Sequence, residues 1–524
     1  MPPPPFRIPG LSSTSNSSVN SAMDNMNLFF LAITFLITIK LFSTWWGSRG
    51  KPPGPFALPF IGHLHLITSS FARDLAKLAD CYGPVIFLRF GSRPVVVVSS
   101  PSAVEECFSK NDVVLANRPQ LLVGKCLGDN FDNLGWAPYG SHWRNARRFA
   151  NTELFASGRL NYYANVRELE IYSFVKHLFR RSVGGHREVK LRKEFVDIVS
   201  NCLLAMLIGK RYYGEDVTGL EDSKQFRENI EEMVHFITTP ALGDFLPIFR
   251  WIDSQWLGRK MKALARKKDT FMQRLIDERR KMHENGGVET KCVLDALLSN
   301  QSADPDFYSD KNIKGIIDAL IAAGVDTVYY TLEWALALLM NNPDIMKKAR
   351  DEIDLYVGHD RMIQESDLPK LSMLNDIINE TLRMYPPAPL AIPHEAAEDC
   401  TIGGFKVRRG TMIMVNIFAV QTDPKLWEDP WSFKPERFKE VEEAKGGLKW
   451  IVFGHGRRSC PGAGMAVREL AMVLGALIQC FEWATVGDEK LDMKVNAGFF
   501  MPRENPLVAV CEPRKSMIDV LSKL

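Results

Sequence analysis

Apolar residues recur at helical spacing along most of the chain. One helical face collects Phe71, Leu75, Leu78 and Tyr82. Residues 168–281 continue in long helical patterns with charged outer faces. A further pattern over 311–341 predicts one helix of about 46 Å that ends at Asn342-Pro343, long enough to cross a whole domain.

Alternating patterns are fewer and short. Strands are predicted at Val85–Phe90 and Pro94–Ser99, around a Gly91-Ser92 turn. A second hairpin is predicted from Thr401–Val407 and Thr411–Val415, with Gly410 between them. The pattern therefore predicts a mainly α chain with small β-sheets, an α+β fold class.

The N-terminal region has a separate character. Residues 1–27 are rich in Pro, Ser and Asn, which predicts a disordered tail. Residues 28–46 are apolar apart from Lys40 and would span about 28 Å as a helix, which predicts a transmembrane anchor. A cleaved signal peptide is the alternative, but the apolar run is long and no small-residue cleavage pattern follows it.

Basic residues around this segment predict its orientation. Arg49 and Lys51 follow it, whereas only Arg7 precedes it. The positive-inside rule therefore puts the rest of the chain in the cytosol, with membrane lipid as a partner. Residues 47–62 contain repeated proline and predict a stiff hinge, and residues 63–524 form the remaining domain.

Composition limits the function. The formal net charge of +3 in 524 residues is too small to indicate a nucleic-acid partner. The nine cysteines are widely spaced without a C-x-x-C pair, which argues against a zinc site or a disulfide framework and fits a reducing compartment.

One loop combines several unusual residues, from Phe453 to Gly462. Cys460 lies just before a predicted helix, where free N–H groups and the helix dipole favour a thiolate. Gly456 and Gly462 let the backbone approach a large flat group, and Arg458 adds a cation. These features suit a haem with an axial cysteine, whereas a buried structural cysteine is the alternative.

The same loop resembles the F-x-x-G-x-R-x-C-x-G signature of the cytochrome P-450 family of haem-thiolate monooxygenases. The matching residues are Phe453, Gly456, Arg458, Cys460 and Gly462. The resemblance implies haem b with Cys460 as the iron ligand, Arg458 on a haem propionate and Phe453 near the sulfur. It also implies the family fold, with a long helix over the haem, for residues 63–524.

Trp143 and Arg147 are spaced to share one helical face. Without the resemblance, a solvated basic helix face is the better interpretation. The resemblance implies that both side chains hydrogen-bond a haem propionate. Arg144 and Arg148 would then belong to a basic surface for an acidic redox partner.

The predicted helix over 311–341 contains poor helix formers at Gly324, Asp326 and Thr327. A point of close helix packing is one interpretation of the glycine. The family's A/G-G-x-D/E-T pattern implies another, in which Gly324 leaves room for dioxygen, Thr327 hydrogen-bonds it, and Asp326 relays protons.

Two further motifs match the family in the expected order. Glu380 and Arg383 are spaced to pair on one helix, and Arg437 lies in a Pro-Glu-Arg-Phe run. The resemblance implies a buried structural ion triad. The segment Pro386–His394 is expected to be extended along the haem edge, with His394 near a propionate, although a lone histidine is more often structural.

The resemblance is narrower at Pro393–Phe405 and Leu477–Trp483, which are similar to a branch of plant enzymes that includes isoflavone hydroxylases and sesamin-type methylenedioxy-bridge synthases. It implies hydroxylation of a small phenolic or flavonoid-like metabolite at the endoplasmic reticulum membrane. Electrons would come from NADPH through an NADPH–cytochrome reductase. Oxidative C–O ring closure and a reductase-independent haem isomerase or dehydratase are the alternatives.

Overall fold

A computed structural model describes residues 31, 50–68, 70–184, 187–214, 221–286, 292–439, 448–487, 489–496 and 498–524. The chain divides into two compact units, Met1–Lys51 and Pro52–Leu524. The predicted tail and anchor, residues 1–46, lie outside the described residues apart from the helical Leu31. The hinge is described from Gly50 onward.

The second unit is mainly helical, as the pattern predicts. Its first α-helices are α1 (Phe71–Tyr82), α2 (Pro101–Glu105), α3 (Leu122–Cys126), α4 (Ser141–Glu153), α5 (Ser157–Tyr162), α6 (Ala164–Val183), α7 (Leu191–Ile208), α8 (Glu221–Thr238) and α9 (Arg250–Gln255). The later ones are α10 (Leu257–Glu284), α11 (Val293–Ala303), α12 (Asp310–Gly324), α13 (Asp326–Asn341), α14 (Pro343–Tyr356), α15 (Ser372–Met384), α16 (Ile417–Thr422), α17 (Ala463–Cys480) and α18 (Ile518–Leu521).

Nine short strands form three small sheets within the described residues. They are β1 (Val85–Phe90), β2 (Arg93–Val98), β3 (Glu188–Lys190), β4 (His394–Glu395), β5 (Cys400–Ile402), β6 (Phe405–Val407), β7 (Met412–Val415), β8 (Phe481–Thr485) and β9 (Val508–Pro513). The sheet orders are β1-β2-β7-β4, β3-β9-β8 and β5-β6. The predicted β1–β2 hairpin is confirmed, with Phe90 opposite Arg93.

The second predicted hairpin is wrong in its pairing. β5 turns back onto β6 through Gly403 and Gly404, whose positive φ angles of 59° and 80° suit a tight hairpin turn. β7 instead lies parallel to β2 and antiparallel to β4. The strand pairing in this sheet is therefore determined by strands that are far apart in sequence.

The long predicted helix is interrupted at Val325, where α12 ends and α13 begins. The Thr327 hydroxyl donates to the Ala323 carbonyl at 2.9 Å, which gives the interrupted turn a side-chain partner. α13 is buried along nearly its whole length and packs against α7, α15 and α17. Most of the hydrophobic core surrounds these helices.

The segment from Pro386 to His394 is not one extended run. The chain turns at Pro389-Leu390, and Ala391 has a φ of +52°. Only His394 and Glu395 form a strand. The prolines exclude a helix, as predicted, but they do not prevent turns.

Candidate active site

The loop before α17 is held in one shape by its own backbone. The Cys460 amide donates to the Phe453 carbonyl at 2.8 Å, and Gly454 and Gly456 have φ angles of +71° and +70°. A Cβ atom at Gly456 would lie 2.5 Å from an Asp112 carboxylate oxygen. The loop therefore requires glycine at this position and presents Cys460 just ahead of the helix.

Cys460 is an exposed residue although protein surrounds its thiol on most sides, as expected for a residue on the wall of an internal space. Burial raises the pKa of the Cys460 thiol, while the amides of Gly462 and Ala463 and the charge of Arg147 lower it. The predicted helix-terminus effect is present, but desolvation outweighs it, so the expected net depression of the pKa is wrong for the protein alone.

Three arginines gather beside this loop. The Arg458 guanidinium lies 4.2 Å from the centre of the Trp143 ring, and Arg147 lies 6.0 Å from the same ring. Arg458 Nε donates to the Ala116 carbonyl at 2.8 Å. Among the described residues, Arg147 forms no hydrogen bond or ion pair. Burial, followed by the charges of Arg118 and Arg147, lowers the pKa of Arg458.

Arg118 was missed by sequence reasoning. Its guanidinium is buried and donates to the carbonyls of Ile392 and Pro393 at 2.7 and 2.9 Å. Burial lowers the pKa of Arg118 to about 9. No local pattern marks it, because Ile392 and Pro393 are more than 270 residues away along the chain, and only the fold adds Arg118 to the cluster.

Trp143 already has a protein acceptor. Its indole Nε1 donates to the Leu134 carbonyl at 3.2 Å, and its ring is buried. The ring therefore serves as a face on which the guanidinium groups stack. Its predicted hydrogen bond to a propionate would compete with the bond to Leu134.

His394 is a buried side chain with a structural contact. Its Nδ1 donates to the Leu115 carbonyl at 2.7 Å, since a carbonyl oxygen only accepts. Burial, together with Arg118 and Arg458, lowers the pKa of His394 well below its usual value. A neutral ring that donates through Nδ1 leaves Nε2 as an acceptor, which does not suit a propionate oxygen.

Asp326 and Thr327 lie at the interruption between α12 and α13. Asp326 is 8% exposed, and burial raises the pKa of Asp326 to about 6. A Cβ atom at Gly324 would lie 2.8 Å from a Leu203 methyl group on α7. The glycine thus permits close helix packing. This contact favours the packing interpretation of Gly324 over a space for dioxygen.

The three residues of the predicted ion triad do come together. Glu380 receives Arg383 Nε at 2.7 Å and Arg437 Nε at 3.0 Å. Arg383 also donates to the carbonyls of Gln421 and Pro430. With Glu380 and Arg383 both fully buried, loss of either partner would leave an uncompensated charge.

The residues present fit a haem. A sulfur on an internal wall can bind iron, and guanidinium groups without a carboxylate partner in the described chain can bind the two propionates. Together with an interrupted buried helix, these features define the class of haem-thiolate proteins that activate dioxygen.

Comparisons with known proteins identify the family. A cytochrome P-450 family model matches residues 52–510. An isoflavone 3'-hydroxylase of Medicago truncatula is 43% identical, covering 94% of this chain and 98% of its own length. A (+)-piperitol/(+)-sesamin synthase of Sesamum radiatum is 44% identical, also covering 94% and 98%.

A solved structure supports the fold. A zebra fish cytochrome P-450 with progesterone has a TM-score of 0.72 at 24% identity, covering 84% of this chain and 99% of its own. The chain therefore belongs to the cytochrome P-450 family. It is a monooxygenase that uses haem with a cysteine thiolate ligand and electrons from NADPH through a reductase.

Proposed function

We propose that this enzyme hydroxylates a plant phenolic or flavonoid-like specialised metabolite. The observation that carries the proposal is the pair of relatives that match almost the whole chain, one named as an isoflavone hydroxylase and one as a (+)-piperitol/(+)-sesamin synthase. The first name specifies an isoflavone as the compound that is hydroxylated. A second relative from Medicago truncatula, 42% identical, is named isoflavone 2'-hydroxylase.

Cys460 would hold the iron, with Phe453 against the sulfur. Arg118, Arg147 and Arg458 would bind the propionates, and Trp143 would stack beneath the arginines. When bound, haem with a thiolate ligand supplies the chemistry that cleaves dioxygen. The support for Cys460 is that it is an exposed residue just ahead of α17, and the support for the arginines is their lack of carboxylate partners among the described residues.

Asp326 and Thr327 would deliver protons. A carboxyl with a pKa of about 6 can both hold and release a proton near neutral pH. We expect Thr327→Ala to keep haem but to divert more of the NADPH into hydrogen peroxide, with Thr327→Ser as the matched control. Unchanged product and peroxide yields would contradict this role for Thr327.

Ring closure is the second candidate, because one relative is named (+)-piperitol/(+)-sesamin synthase and the sequence resembles sesamin-type methylenedioxy-bridge synthases. Both reactions consume one dioxygen, one NADPH and one proton. Hydroxylation puts one oxygen atom into the substrate and forms one water, whereas ring closure removes two hydrogen atoms and forms two waters. The mass of the product therefore distinguishes hydroxylation from ring closure.

The test is a screen of the recombinant enzyme with reductase and NADPH against isoflavones, lignans and simple phenols, with mass spectrometry of the products. Cys460→Ser is the control, and we expect it to lose both product and the thiolate carbon monoxide spectrum. Turnover without NADPH would instead favour a haem isomerase or dehydratase. Active enzyme that oxidises only non-phenolic substrates would refute the substrate class.

We also propose that the enzyme is held at the endoplasmic reticulum by the 28–46 segment, with its catalytic unit in the cytosol. An exposed apolar patch supports membrane contact: Phe56, Phe60, Ile248, Trp251 and Trp256 are 69%, 78%, 83%, 72% and 64% exposed. The two halves of this patch flank the β1–β2 turn, where Gly91 bonds Ile61 and Ser92 bonds Phe245. Tryptophan is typical of membrane interfaces.

Two other apolar helical stretches occur in the described chain, Asp310–Asn341 and Ala463–Cys480, and each is long enough to cross a membrane. Both are mostly buried inside the second unit, so they are core elements.

For the reductase, the support is a basic surface on α4, where Arg144 and Arg148 are exposed. We expect charge reversal of both to weaken reductase binding, and unchanged affinity at low salt would contradict the proposed surface.

A further inference from the structure

One face of α13 carries polar side chains in an otherwise apolar, buried environment. Asp326, Tyr329, Tyr330 and Glu333 are spaced so that all four lie on the same side of the helix. Their exposed fractions are 8%, 9%, 7% and 0%. Burying polar groups is unfavourable unless they find partners, so this polar face requires an explanation.

The polar face lies against α7, which runs antiparallel to it. Leu203 of α7 meets Gly324 just before α13, and Arg192 at the start of α7 meets Glu333. Between these contacts the same face of α7 carries apolar, buried residues, namely Phe195, Val199 and Cys202. The polar groups of α13 between the two contacts therefore have one another as neighbours.

The two tyrosines connect the ends of this face. Their ring centres are 4.4 Å apart. Burial and the negative charge of Asp326 raise the pKa of Tyr330 to about 12, while hydrogen bonding with Tyr329 and the charge of Arg192 lower it. Burial and Asp326 also raise the pKa of Tyr329, and Arg192 lowers it. The charges of Asp326 and Arg192 therefore both act on the two phenols.

The far end of the polar face reaches solvent. Arg192 Nη2 donates to Glu333 Oε2 at 2.9 Å and to the Arg503 carbonyl at 2.8 Å. The Arg192 side chain is 27% exposed, whereas that of Glu333 is fully buried. At the near end, the Asp326 carboxyl forms no hydrogen bond or ion pair with the described residues, so a proton passing between it and the tyrosine hydroxyls would travel through a bridging water.

We propose that Tyr329 and Tyr330 are positioning residues that pass protons between Asp326 and solvent at Arg192. The inference rests on the proposed proton role of Asp326. In each transfer, a tyrosine hydroxyl gives its proton toward Asp326 and receives another proton from the side of Glu333. A buffer acid or hydronium in solvent supplies the proton, and no electron moves.

The test measures how fast the Asp326 carboxyl exchanges its proton. Its infrared C=O band is assigned by subtracting the spectrum of Asp326→Asn below the pKa of about 6. After rapid mixing with D₂O, we expect the shift of this band to be at least about a hundredfold slower in the Tyr329→Phe/Tyr330→Phe double variant, the lower end of the range for one proton-transfer contribution.

Tyr212→Phe is the matched control, because Tyr212 is also buried and its hydroxyl forms no hydrogen bond within the part of the chain that the structure describes. A smaller slowing, or an equal one in Tyr212→Phe, would overturn the proposal. The carbon monoxide spectrum checks haem binding and folding in each variant, and a rising peroxide yield in the double variant is the second expected result. Slow exchange in an enzyme that oxidises no phenol would refute the proposed substrate class while leaving this inference intact.

Discussion

The Arg458 guanidinium stacks on Trp143, with 4.2 Å between the guanidinium carbon and the ring centre. This contact joins the cysteine loop to α4, although the two residues are more than 300 positions apart. The neighbouring Arg147 lies 6.0 Å from the same ring and forms no hydrogen bond or ion pair with the described residues. The cationic cluster is therefore built to bind an anion rather than to close an internal ion pair.

Arg147→Ala is expected to lower haem retention with little effect on the stability of the protein without haem. The lost charge-assisted bond should cost about 1.5–3 kcal/mol of haem binding, or roughly tenfold or more in affinity. Haem content per protein after gel filtration measures it. Arg148→Ala, an exposed change on the same helix, is the control, and full haem retention in Arg147→Ala would contradict the cluster's role.

Gly324→Ala is expected to destabilise the protein by about 1–3 kcal/mol, because its methyl group would lie 2.8 Å from Leu203 Cδ2. Denaturant unfolding measures the change, and Leu203→Val should restore part of it. Gly464→Ala is the control, since a Cβ atom there meets only Leu160 at 3.6 Å. Normal stability with impaired dioxygen binding would instead favour a notch over the haem.

Glu469 makes stability depend on pH. Both carboxyl oxygens are buried, and burial raises the pKa of Glu469 to about 8, opposed by Arg167 and by a hydrogen bond with Cys202. The folded protein thus holds a proton that the unfolded chain releases near pH 4.3. The contribution is fully present below that pH and is lost as pH rises to about 8.

Glu469→Gln is accordingly expected to remove this pH dependence and to exceed the wild type in free energy of unfolding above pH 8, measured by denaturant titration across pH. Glu365→Gln is the contrast, because it unpairs the buried Arg167 and should destabilise at every pH. An identical slope in Glu469→Gln and wild type would show that Glu469 ionises normally.

The exposed apolar patch is expected to contact lipid. Of the 11 tryptophans, Trp251 and Trp256 should be quenched by brominated lipid in vesicles carrying the full-length enzyme. The Trp251→Phe/Trp256→Phe variant should be quenched less than the wild type, and the quenching that remains is expected from Trp45 and Trp46 in the proposed anchor. Trp431→Phe, at a residue 64% exposed outside the patch, should not. Equal quenching in all three proteins would exclude membrane contact by the patch.

Local sequence patterns predicted individual helices and strands, but they did not predict which distant strands pair. The β1–β2 hairpin was confirmed because its strands and turn are adjacent in sequence. The hairpin assigned to β7 was wrong because β2, more than 300 residues earlier, supplies its partner. Helix periodicity likewise predicted the span of α12 and α13 but missed the break at Val325, where Thr327 bonds back to Ala323.

The sequence by itself determined the cysteine loop, the order of the motifs and the mainly helical class, because each depends on residues a few positions apart. Only the tertiary structure brought Arg118 beside Arg458, put Leu203 against Gly324 and aligned the polar face of α13 with Arg192. Those contacts depend on how distant helices pack, and side-chain spacing along one segment carries no information about the surface that will cover it.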